Sequence, residues 1–524
     1  MNKAKYDGVE HPVRQVTDLK DIIVSSCSMF KDDTAFLEKD KPGGTFQPIS
    51  YAKVKDDVDA LGTKLMDMGL KGSKIAVVGE TSYHWFLTYF ATVCGVGVIV
   101  PLDKNLPQDE LKSLIERSHA KAIVFSKRME KTIKPLFDEP GEIEYFISMS
   151  ESENEKVLSL EHLIEEGNKL LGEGVRDFVD AEINPEEMAS LLFTSGTTGK
   201  SKGVMLSHKN IASNVVNVSK RVTLDKGCVV LSILPVHHTY ENTIDWVTIY
   251  QGRTIAVCEG IKYILKNMNE VKANCMVGVP LVFEKIFKGI MKQAEGRGEG
   301  EKVRNAIALS RRLKLFNNRS LIRKLFKPVH QAFGGGMQLF IAGGAAMDPE
   351  ITESFEAMGI PMIQGYGMTE YAPIIAVNQD NYSIARSVGR PMPETLVRID
   401  NADENGIGEI VVKGPSVMLG YYEDQEATDE VIEDGWLHTG DLGYLDSNDF
   451  LYLTGRKKTV IVTKGGKNIF PEEIEAVLKE NELIKETIVH GVTDNTVGNV
   501  IVTADIQPNY ELLEEQRGKM SSSD

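Results

Sequence analysis

Short apolar runs alternate with amphipathic stretches along the first part of the chain. The runs at 74–78, 96–100 and 121–125 are predicted to be buried strands, because short stretches rich in β-branched residues favour strands over helices. Between them, the spacing of apolar residues predicts helices over about 82–94 and 106–119. This β-α-β-α-β order predicts a parallel sheet with helices packed on its faces.

The alternation returns in the middle of the chain, after a loop rich in Gly, Ser and Thr. Strands are predicted at 228–234, 254–258 and 275–279, with helices at 240–250, 261–271 and 281–292. From about residue 387 the pattern changes to short strands separated by Gly and Asp, which is typical of a β-rich subdomain. A short stretch of mixed helix and strand follows residue 455.

These patterns predict an α/β fold with one large and one small domain. The large N-terminal domain is expected over 1–455, with two α/β lobes over about 20–386 and a β-rich subdomain over about 387–455. A small, mobile α+β C-terminal domain is expected over 456–524. More than one domain is also expected because 524 residues are too many for a single hydrophobic core.

The charge balance and the cysteines exclude several classes of protein. A formal net charge of −17 argues against a nucleic-acid partner, because the phosphate backbone would be repelled. The five cysteines are scattered and form no C-x-x-C pair, so neither a disulfide framework nor a zinc site is predicted. The N-terminus lacks an apolar signal segment, and the uncharged run at 81–102 is interpreted as a helix and a strand rather than a membrane span. A cytoplasmic location is therefore expected.

The loop at 194–203 carries the strongest chemical signal in the chain. Its glycines let the backbone approach a ligand, and its hydroxyls and lysines add donors and positive charge, as in phosphate-binding loops. A helix expected from about Lys209 would add the partial positive charge of its N-terminus. The alternative is a flexible polar surface loop. The residues are Thr194, Ser195, Gly196, Thr197, Thr198, Gly199, Lys200, Ser201, Lys202 and Gly203.

The spacing of this loop excludes a Walker A motif. Gly199, Lys200 and Ser201 match the second half of G-x-x-x-x-G-K-[ST], but Thr194 stands where the first glycine is required. The loop instead resembles T-S-G-T-T-G-x-P-K-G of the adenylate-forming superfamily, which includes acyl-CoA synthetases, luciferases and peptide-synthetase adenylation domains. Ser201 replaces the usual proline, which removes no hydrogen-bond donor. The resemblance implies that Lys200 acts in catalysis and that the rest of the loop, with Lys202, holds the phosphates of ATP.

A second segment, Gly365-Tyr366-Gly367-Met368-Thr369-Glu370, resembles the family's Y-G-x-T-E motif. In the family the tyrosine stacks on adenine, the threonine approaches the α-phosphate and the glutamate helps to hold Mg²⁺. The resemblance implies these roles for Tyr366, Thr369 and Glu370, with Gly367 in the nucleotide site. An aromatic face, a hydroxyl donor and a hard oxygen ligand suit a purine, a phosphate and a hard cation.

Further family motifs follow in the expected order. Gly344 and Ala345 resemble the turn of small residues against which adenine lies. Asp441 lies in a T-G-D segment whose aspartate binds the ribose hydroxyls in relatives. After it, Arg456 is expected to contact ATP, and Lys458 occupies the position of the hinge between the two domains.

The last motif belongs to the small domain. Gly465, Gly466 and Lys467 resemble the glycine loop that lines the pantetheine channel of coenzyme A in relatives. Relatives carry a further lysine near the C-terminus, and no such motif follows Pro508. We therefore expect the small domain to be incomplete, with impaired acyl-adenylate formation but thioester formation from supplied acyl-adenylate.

Two segments bear on the acid that is activated. His238 aligns with a residue that abuts the substrate carboxylate in relatives, and the alternative is a histidine with a purely structural role. The segment 302–327 is rich in Lys and Arg and contains no acidic residue; with the following glycines it resembles long-chain acyl-CoA synthetases. A basic amphipathic helix is typical of a membrane-surface contact, and a solvated helix packed on the body of the protein is the alternative.

Together the motifs predict an AMP-forming acid–thiol ligase that uses ATP, Mg²⁺ and coenzyme A. The substrate is expected to be a medium- or long-chain fatty acid, activated as acyl-AMP. Alternatives are an enzyme that loads a carrier-protein phosphopantetheine, an aryl- or bile-acid–CoA ligase, and a non-enzymatic relative that only binds nucleotide.

Overall fold

The structure, a computed structural model, describes residues 10–194, 201–315, 318–380, 382–462, 468–479, 481, 483–494, 499–510 and 512–513. The chain forms two compact units. The first consists of Met1–Thr395 and Lys413–Ile432, and the second of Leu396–Val412 and Glu433–Asp524. The domain boundaries that we placed at 387 and 456 stay predictions.

The helices of the described residues are mostly short and lie between strands. They are α1 (Leu19–Met29), α2 (Tyr51–Asp67), α3 (Tyr83–Ala91), α4 (Gln108–Ser118), α5 (Glu130–Ile133), α6 (Leu160–Gly172), α7 (His208–Arg221), α8 (Thr239–Tyr250), α9 (Ile264–Val271), α10 (Pro280–Gly296), α11 (Gly300–Leu313), α12 (Arg319–Leu325), α13 (Lys327–Ala332), α14 (Pro349–Ala357), α15 (Gln425–Val431) and α16 (Pro471–Lys479).

The strands of the first unit precede residue 395, apart from one short strand near residue 420. They are β1 (Thr34–Lys39), β2 (Phe46–Ser50), β3 (Ser73–Val78), β4 (Gly97–Leu102), β5 (Ala120–Phe125), β6 (Tyr145–Ser148), β7 (Val157–Ser159), β8 (Met188–Thr194), β9 (Lys202–Ser207), β10 (Val229–Ser232), β11 (Thr254–Val257), β12 (Cys275–Gly278), β13 (Leu339–Ala342), β14 (Met362–Gly367), β15 (Ile374–Val377) and β16 (Arg390–Pro391). The later strands are β17 (Leu396–Asp400), β18 (Gly408–Lys413), β19 (Gly420–Tyr421), β20 (Ile432–Glu433), β21 (Trp436–Leu445), β22 (Leu451–Arg456), β23 (Ile461–Val462), β24 (Asn468–Ile469), β25 (Ile484–Asp494) and β26 (Asn499–Pro508).

Two large sheets organise the first unit. Within the described residues, one has eight strands in the order β19-β9-β8-β4-β3-β5-β6-β7. Its centre is parallel, since β3 pairs in parallel with both β4 and β5, and the predicted β-α-β-α-β unit is confirmed. The uncharged run that begins at residue 81 divides into α3, a π-helical turn (Thr92–Val96) and β4, and no helix in the described part of the chain is long and apolar enough to cross a membrane.

The second sheet has nine strands in the order β16-β15-β14-β13-β12-β10-β11-β1-β2 within the described residues. The strands from β10 to β14 are parallel, as the middle alternation predicts. The β1–β2 hairpin was not predicted: β1 pairs in parallel with β11, so an N-terminal segment completes a sheet whose other strands come much later. The apolar pattern of β1 alone does not show this partner.

The second unit is built from smaller sheets. In one, β18 lies between β17 and β21, and β21 pairs antiparallel with β22. A separate antiparallel pair joins β25 to β26, and α16 contacts β25. The strands β17 to β22 agree with the β-rich pattern predicted after residue 387, although β21 has 10 residues and is not short. The mixture of helix and strand predicted after residue 455 is present as α16, β25 and β26.

The close packing of α6 against α2 gives a direct test of the fold. A Cβ built on Gly167 of α6 would lie 1.9 Å from the carbonyl oxygen of Ala60, a backbone atom of α2, so the helices must separate to admit it. We expect Gly167→Ala to lower the free energy of unfolding by about 1–3 kcal/mol. Gly172→Ala in the same helix meets no atom within 4 Å, and its effect should stay within about 1 kcal/mol. Chemical denaturation measures both, and equal midpoints for the two variants would contradict the packing of α6.

Candidate functional site

The glycine-rich loop joins two antiparallel strands of the first sheet. The last residue of β8, Thr194, pairs with the first residue of β9, Lys202, so these two predicted site residues face each other at the base of the loop. The side chains of Leu191 and Val204 are buried, so the hairpin is packed into the core. Among the predicted residues, Ser195, Gly196, Thr197, Thr198, Gly199 and Lys200 lie outside the described residues.

One prediction about this loop is wrong. The helix expected from about Lys209 is present as α7, which begins at His208, but the strand β9 (Lys202–Ser207) separates it from the loop. Because β9 runs antiparallel to β8, its last residue pairs with Met188 at the far end of the hairpin. The N-terminus of α7 therefore lies at the opposite end of β8 from the loop, and its dipole does not contribute there.

A polar cavity of about 290 Å³ adjoins the base of the loop. Arg117 of α4 donates a hydrogen bond to the carbonyl oxygen of Ser201 at 2.8 Å, and its guanidinium lies over the ring of Phe193. The guanidinium of Arg117, which does not belong to the hairpin, thus binds the backbone at the end of the loop. The residues that line the cavity are Arg117, Phe193, Ser201, Lys202, Gly203, Tyr422, Glu423 and Asp424.

The Y-G-x-T-E segment runs from β14 into a tight 3-10 turn (Thr369–Tyr371). Gly367 is required at the bend, because a Cβ there would lie 1.9 Å from the carbonyl oxygen of Pro373. Tyr366, before the bend, is 8% exposed. The carboxylate of Glu370 accepts a hydrogen bond from the hydroxyl of Tyr421, with 2.8 Å between Oε1 and the phenol oxygen.

A buried asparagine holds this turn in place. Asn214 of α7 is 1% exposed, and its Nδ2 donates to the carbonyl oxygens of Tyr371 and Ile374 at 3.3 and 3.0 Å. Its Oδ1 accepts from the backbone N–H of Ile374 at 3.3 Å. One amide side chain thus satisfies backbone groups on both sides of the turn that follows Glu370, where water is excluded.

The start of α8 approaches the same turn. The hydroxyl oxygens of Thr239, the first residue of α8, and Thr369 are 3.4 Å apart. Just before them, the rings of His237 and His238 lie with centroids 4.1 Å apart. Burial, and next the charge of His238, lower the pKa of His237 to about 4, and burial also lowers the pKa of His238. Both imidazoles are therefore neutral near pH 7.

The small-residue turn follows β13. Gly344 and Ala345 are exposed, and Gly344 has a φ of 82°, a conformation that glycine adopts without strain. At Gly343 a Cβ would meet the ring of Tyr240, 2.8 Å from Cζ, so the phenol of α8 packs directly under the turn. The exposed part of the turn therefore carries nothing larger than a methyl group.

Other predicted residues belong to the second unit. Asp441 of β21 and Arg456 of β22 are register partners, and 3.0 Å separates Oδ1 of Asp441 from Nε of Arg456. The aspartate is nearly buried, while the arginine side chain is 67% exposed. Lys458 is exposed in the turn that follows β22, whereas Gly465, Gly466 and Lys467 lie outside the described residues.

Comparison with known proteins identifies the family. The family model for the AMP-binding enzyme matches residues 24–422. The chain belongs to the AMP-binding enzyme family. The predicted membership and the prediction of an enzyme are confirmed.

Two curated relatives and one solved structure illustrate the similarity. The long-chain-fatty-acid–CoA ligase FadD15 of Mycobacterium bovis is 27% identical over 473 residues, which are 87% of this chain and 78% of the relative. The chloroplastic long-chain-fatty-acid–[acyl-carrier-protein] ligase AEE15 of Arabidopsis thaliana is 25% identical over 564 residues, covering 94% and 76%. ATP-bound MatB from Rhodopseudomonas palustris has a TM-score of 0.71 at 25% identity and covers 96% of this chain and 93% of its own. The large α/β domain with a small C-terminal domain is thus the fold of adenylate-forming enzymes.

The side chains of this AMP-binding enzyme fit a magnesium ion that is held mainly by its nucleotide. Within the described residues, no group of three or more His, Cys, Asp or Glu side chains forms a complete metal cage. Mg²⁺ usually keeps several waters and binds one or two protein carboxylates together with substrate phosphates. Glu370 has a carboxylate of the kind that such an ion binds, one residue after the hydroxyl of Thr369.

Two residues of the AMP-binding enzyme's site were not predicted. Asn214 lies on the apolar face of α7, among the buried Ile211, Val215 and Val218, and a polar residue at such a position was the available signal. Tyr421 has no comparable signal, since its contact with Glu370 depends on the pairing of β19 with β9.

The role of Asn214 is open to a direct test. Asn214→Ala leaves buried backbone groups near Tyr371 and Ile374 without partners, so we expect the free energy of unfolding to fall by about 1–3 kcal/mol. ATP binding should weaken as the turn relaxes. In the control Asn168→Ala, only a hydrogen bond to Ile164 within α6 is lost, and both properties should change little. Thermal unfolding and calorimetric ATP titration measure the two effects; wild-type behaviour of Asn214→Ala would refute this role.

Proposed function

We propose that this enzyme activates a long-chain fatty acid with ATP as acyl-AMP and transfers the acyl group to the thiol of coenzyme A. The observation that carries the proposal is the contact between Thr369 and Thr239, at 3.4 Å. It joins the turn expected at the α-phosphate to the helix expected at the carboxylate. A carboxylate beside His238 and an α-phosphate beside Thr369 would therefore be neighbours.

In the first half-reaction, a carboxylate oxygen attacks the α-phosphorus of ATP. An O–P bond forms, the bond to the bridging oxygen of the β-phosphate breaks, and pyrophosphate leaves. Thr369 would donate a hydrogen bond to the α-phosphate, while the loop from Thr194 to Lys202 holds the phosphates that leave. Donors directed at the developing charge lower the barrier.

The neutral state of His238 suits this role. Its lowered pKa keeps the imidazole uncharged near pH 7, so one ring N–H can orient the carboxylate. An imidazolium would instead form an ion pair and reduce the nucleophilicity of the carboxylate oxygen. Glu370 would hold Mg²⁺, which when bound supplies positive charge to offset the charge on the phosphates.

In the second half-reaction, the sulfur of the thiol attacks the carbonyl carbon of acyl-AMP. A C–S bond forms, the C–O bond to AMP breaks, and the thiol proton passes to solvent. We propose that Asp441 binds the ribose, that Arg456 contacts the phosphates, and that the small C-terminal domain expected over 456–524 turns at Lys458 between the half-reactions. Gly465, Gly466 and Lys467 are proposed to line the pantetheine channel.

The names of the relatives support the proposed identities of the thiol acceptor and of the carboxylic acid. The relatives include ligases that use coenzyme A and one that uses acyl-carrier protein, and we propose coenzyme A as the acceptor. Long-chain acids are supported by the same names. Aryl and bile acids are the alternatives for the acid.

Supplied acyl-adenylates test the substrate class without requiring the first half-reaction. We expect C12–C18 acyl-AMP to give acyl-CoA with a kcat/KM at least about tenfold above that of acetyl-AMP or benzoyl-AMP, since each buried methylene contributes roughly 0.8 kcal/mol. Preference for benzoyl- or cholyl-AMP would refute the proposal that the substrate is a fatty acid. Transfer to holo-carrier protein but not to coenzyme A would refute coenzyme A as the acceptor.

Thioester formation from supplied acyl-AMP also tests the role of the Thr369–Tyr371 turn. Thr369→Val should lower the rate by about 100-fold, as for loss of one oxyanion donor. Thr223→Val changes an exposed threonine whose backbone N–H, rather than its hydroxyl, contacts Asp380, and should be neutral. Pyrophosphate exchange with the same acids then measures the first half-reaction separately.

We also propose that the segment 302–327 contacts an anionic membrane surface, from which the acid is taken. Both α11 and α12 carry an exposed Leu-x-x-basic-Leu pattern, and their leucines are 45–57% exposed. The exposed residues of this leucine–basic surface are Leu309, Arg312, Leu313, Leu321, Lys324 and Leu325.

The core leaves these leucines free for such a contact. Ile307 of α11 and Ile322 of α12 are buried in one apolar cluster, so the helices are anchored by other residues. The segment contains no acidic residue, although the chain carries a net charge of −17. Local positive charge beside apolar side chains favours anionic lipid over neutral lipid.

Vesicle sedimentation tests this surface. Wild-type protein should bind phosphatidylglycerol vesicles more tightly than phosphatidylcholine vesicles, and added salt should weaken binding. Leu313→Ser with Leu321→Ser should lower the partition coefficient at least about tenfold. The control is Leu396→Ser, a leucine of β17 that is 60% exposed. Equal binding to both lipids, or equal effects of both sets of changes, would contradict the proposal.

A further inference from the structure

A tyrosine far along the sequence links the glycine-rich loop to the carboxylate of Glu370. Tyr421 lies in the short strand β19, which pairs antiparallel with β9, with Tyr421 opposite Val204. Its hydroxyl donates to Oε1 of Glu370 at 2.8 Å. Its own backbone N–H donates to the hydroxyl of Thr428 at 2.9 Å, so the strand position is fixed from both sides.

The ring of the same tyrosine carries a second contact. The ammonium nitrogen of Lys202, at the base of the glycine-rich loop, lies 4.6 Å from the centre of the ring, within the range of a cation–π interaction. Tyr421 therefore contacts the carboxylate of Glu370 with its hydroxyl and the ammonium of Lys202 with its ring. Tyr421 is 7% exposed, so water competes little with either contact.

A neighbouring contact fixes the turn as well as the side chain. The backbone N–H of Met418 donates to the carbonyl oxygen of Glu370 at 2.9 Å. The segment around β19 thus holds Glu370 by its backbone and by its carboxylate. Since a carboxylate has about four lone-pair sites, a single hydrogen bond to Oε1 leaves acceptor capacity for a cation.

We propose that Tyr421 is a positioning residue: it orients the Glu370 carboxylate toward the metal ion of MgATP and couples that carboxylate to Lys202 of the phosphate loop. The inference rests on the proposed role of Glu370 as a magnesium ligand. Tyr421 would act through its contacts with Glu370 and Lys202.

The position of the phenol oxygen is set by the pairing of β19 with β9, and its hydroxyl donates to the Glu370 carboxylate. A fixed donor on the outer side of a metal-binding carboxylate sets its rotamer, and loss of such a partner typically costs about 10–100-fold in metal affinity.

Calorimetric titration of ATP at several Mg²⁺ concentrations tests the proposal without turnover. Tyr421→Phe keeps the ring over Lys202 and removes only the hydroxyl. We expect the Mg²⁺ concentration that half-saturates ATP binding to rise about tenfold, while ATP binding in EDTA stays unchanged. Tyr421→Leu also removes the ring, so ATP binding in EDTA should weaken too.

Tyr145→Phe is the matched control. It removes a phenol hydroxyl that donates to the carbonyl oxygen of Met68 at 3.0 Å in the first sheet, and should leave the Mg²⁺ dependence unchanged. If Tyr421→Phe and Tyr145→Phe show the same Mg²⁺ dependence, the positioning role is refuted.

Glu370→Gln separates this inference from the proposed function. If Glu370→Gln raises the half-saturating Mg²⁺ concentration and Tyr421→Phe does not, only the positioning role fails. If Glu370→Gln has no effect, the metal role of Glu370 fails and the inference falls with it. In the double variant, Tyr421→Phe should add nothing to Glu370→Gln, because its effect acts through that carboxylate.

Discussion

The pairing of β19 with β9 is the interaction on which the site in the first unit depends. It brings a segment near residue 420 back to the strand that follows the glycine-rich loop. Through it, Tyr421 reaches Glu370 at the end of β14, a strand of the other large sheet. The two sheets, which already share one buried apolar cluster, thereby also share a set of polar contacts, so the phosphate loop and the Thr369–Tyr371 turn are positioned together rather than independently.

Much of this architecture could be predicted because its signals are local. The apolar runs at 74–78 and 121–125 are short and β-branched, and helical periodicity separates them, so parallel strands follow from pattern alone. The loop chemistry is equally local. In contrast, the β1–β2 hairpin and Tyr421 acquire their places by pairing with strands far away in sequence, and no property of the residues themselves identifies the partner strand.

The wrong prediction that a helix N-terminus adjoins the loop has the same origin. The start of the helix was predicted correctly, since α7 begins at His208, but its distance from the loop depends on Lys202–Ser207 forming the second arm of a hairpin. The alternation of exposed and buried residues is incomplete in this strand, because both neighbours, β8 and β19, bury part of it. The donors expected from a helix dipole must then come from side chains, and Arg117 and Lys202 are the cations at the base of the loop.

The ion pair between Asp441 and Arg456 has a consequence of its own. The contact joins one oxygen of Asp441 to Nε of Arg456, so neither group is left as an isolated charge. The arginine side chain is 67% exposed, and a guanidinium has five N–H donors, so a phosphate could bind it while Nε stays paired with the aspartate. The ion pair therefore fixes the direction of the guanidinium across two adjacent strands before any ligand binds.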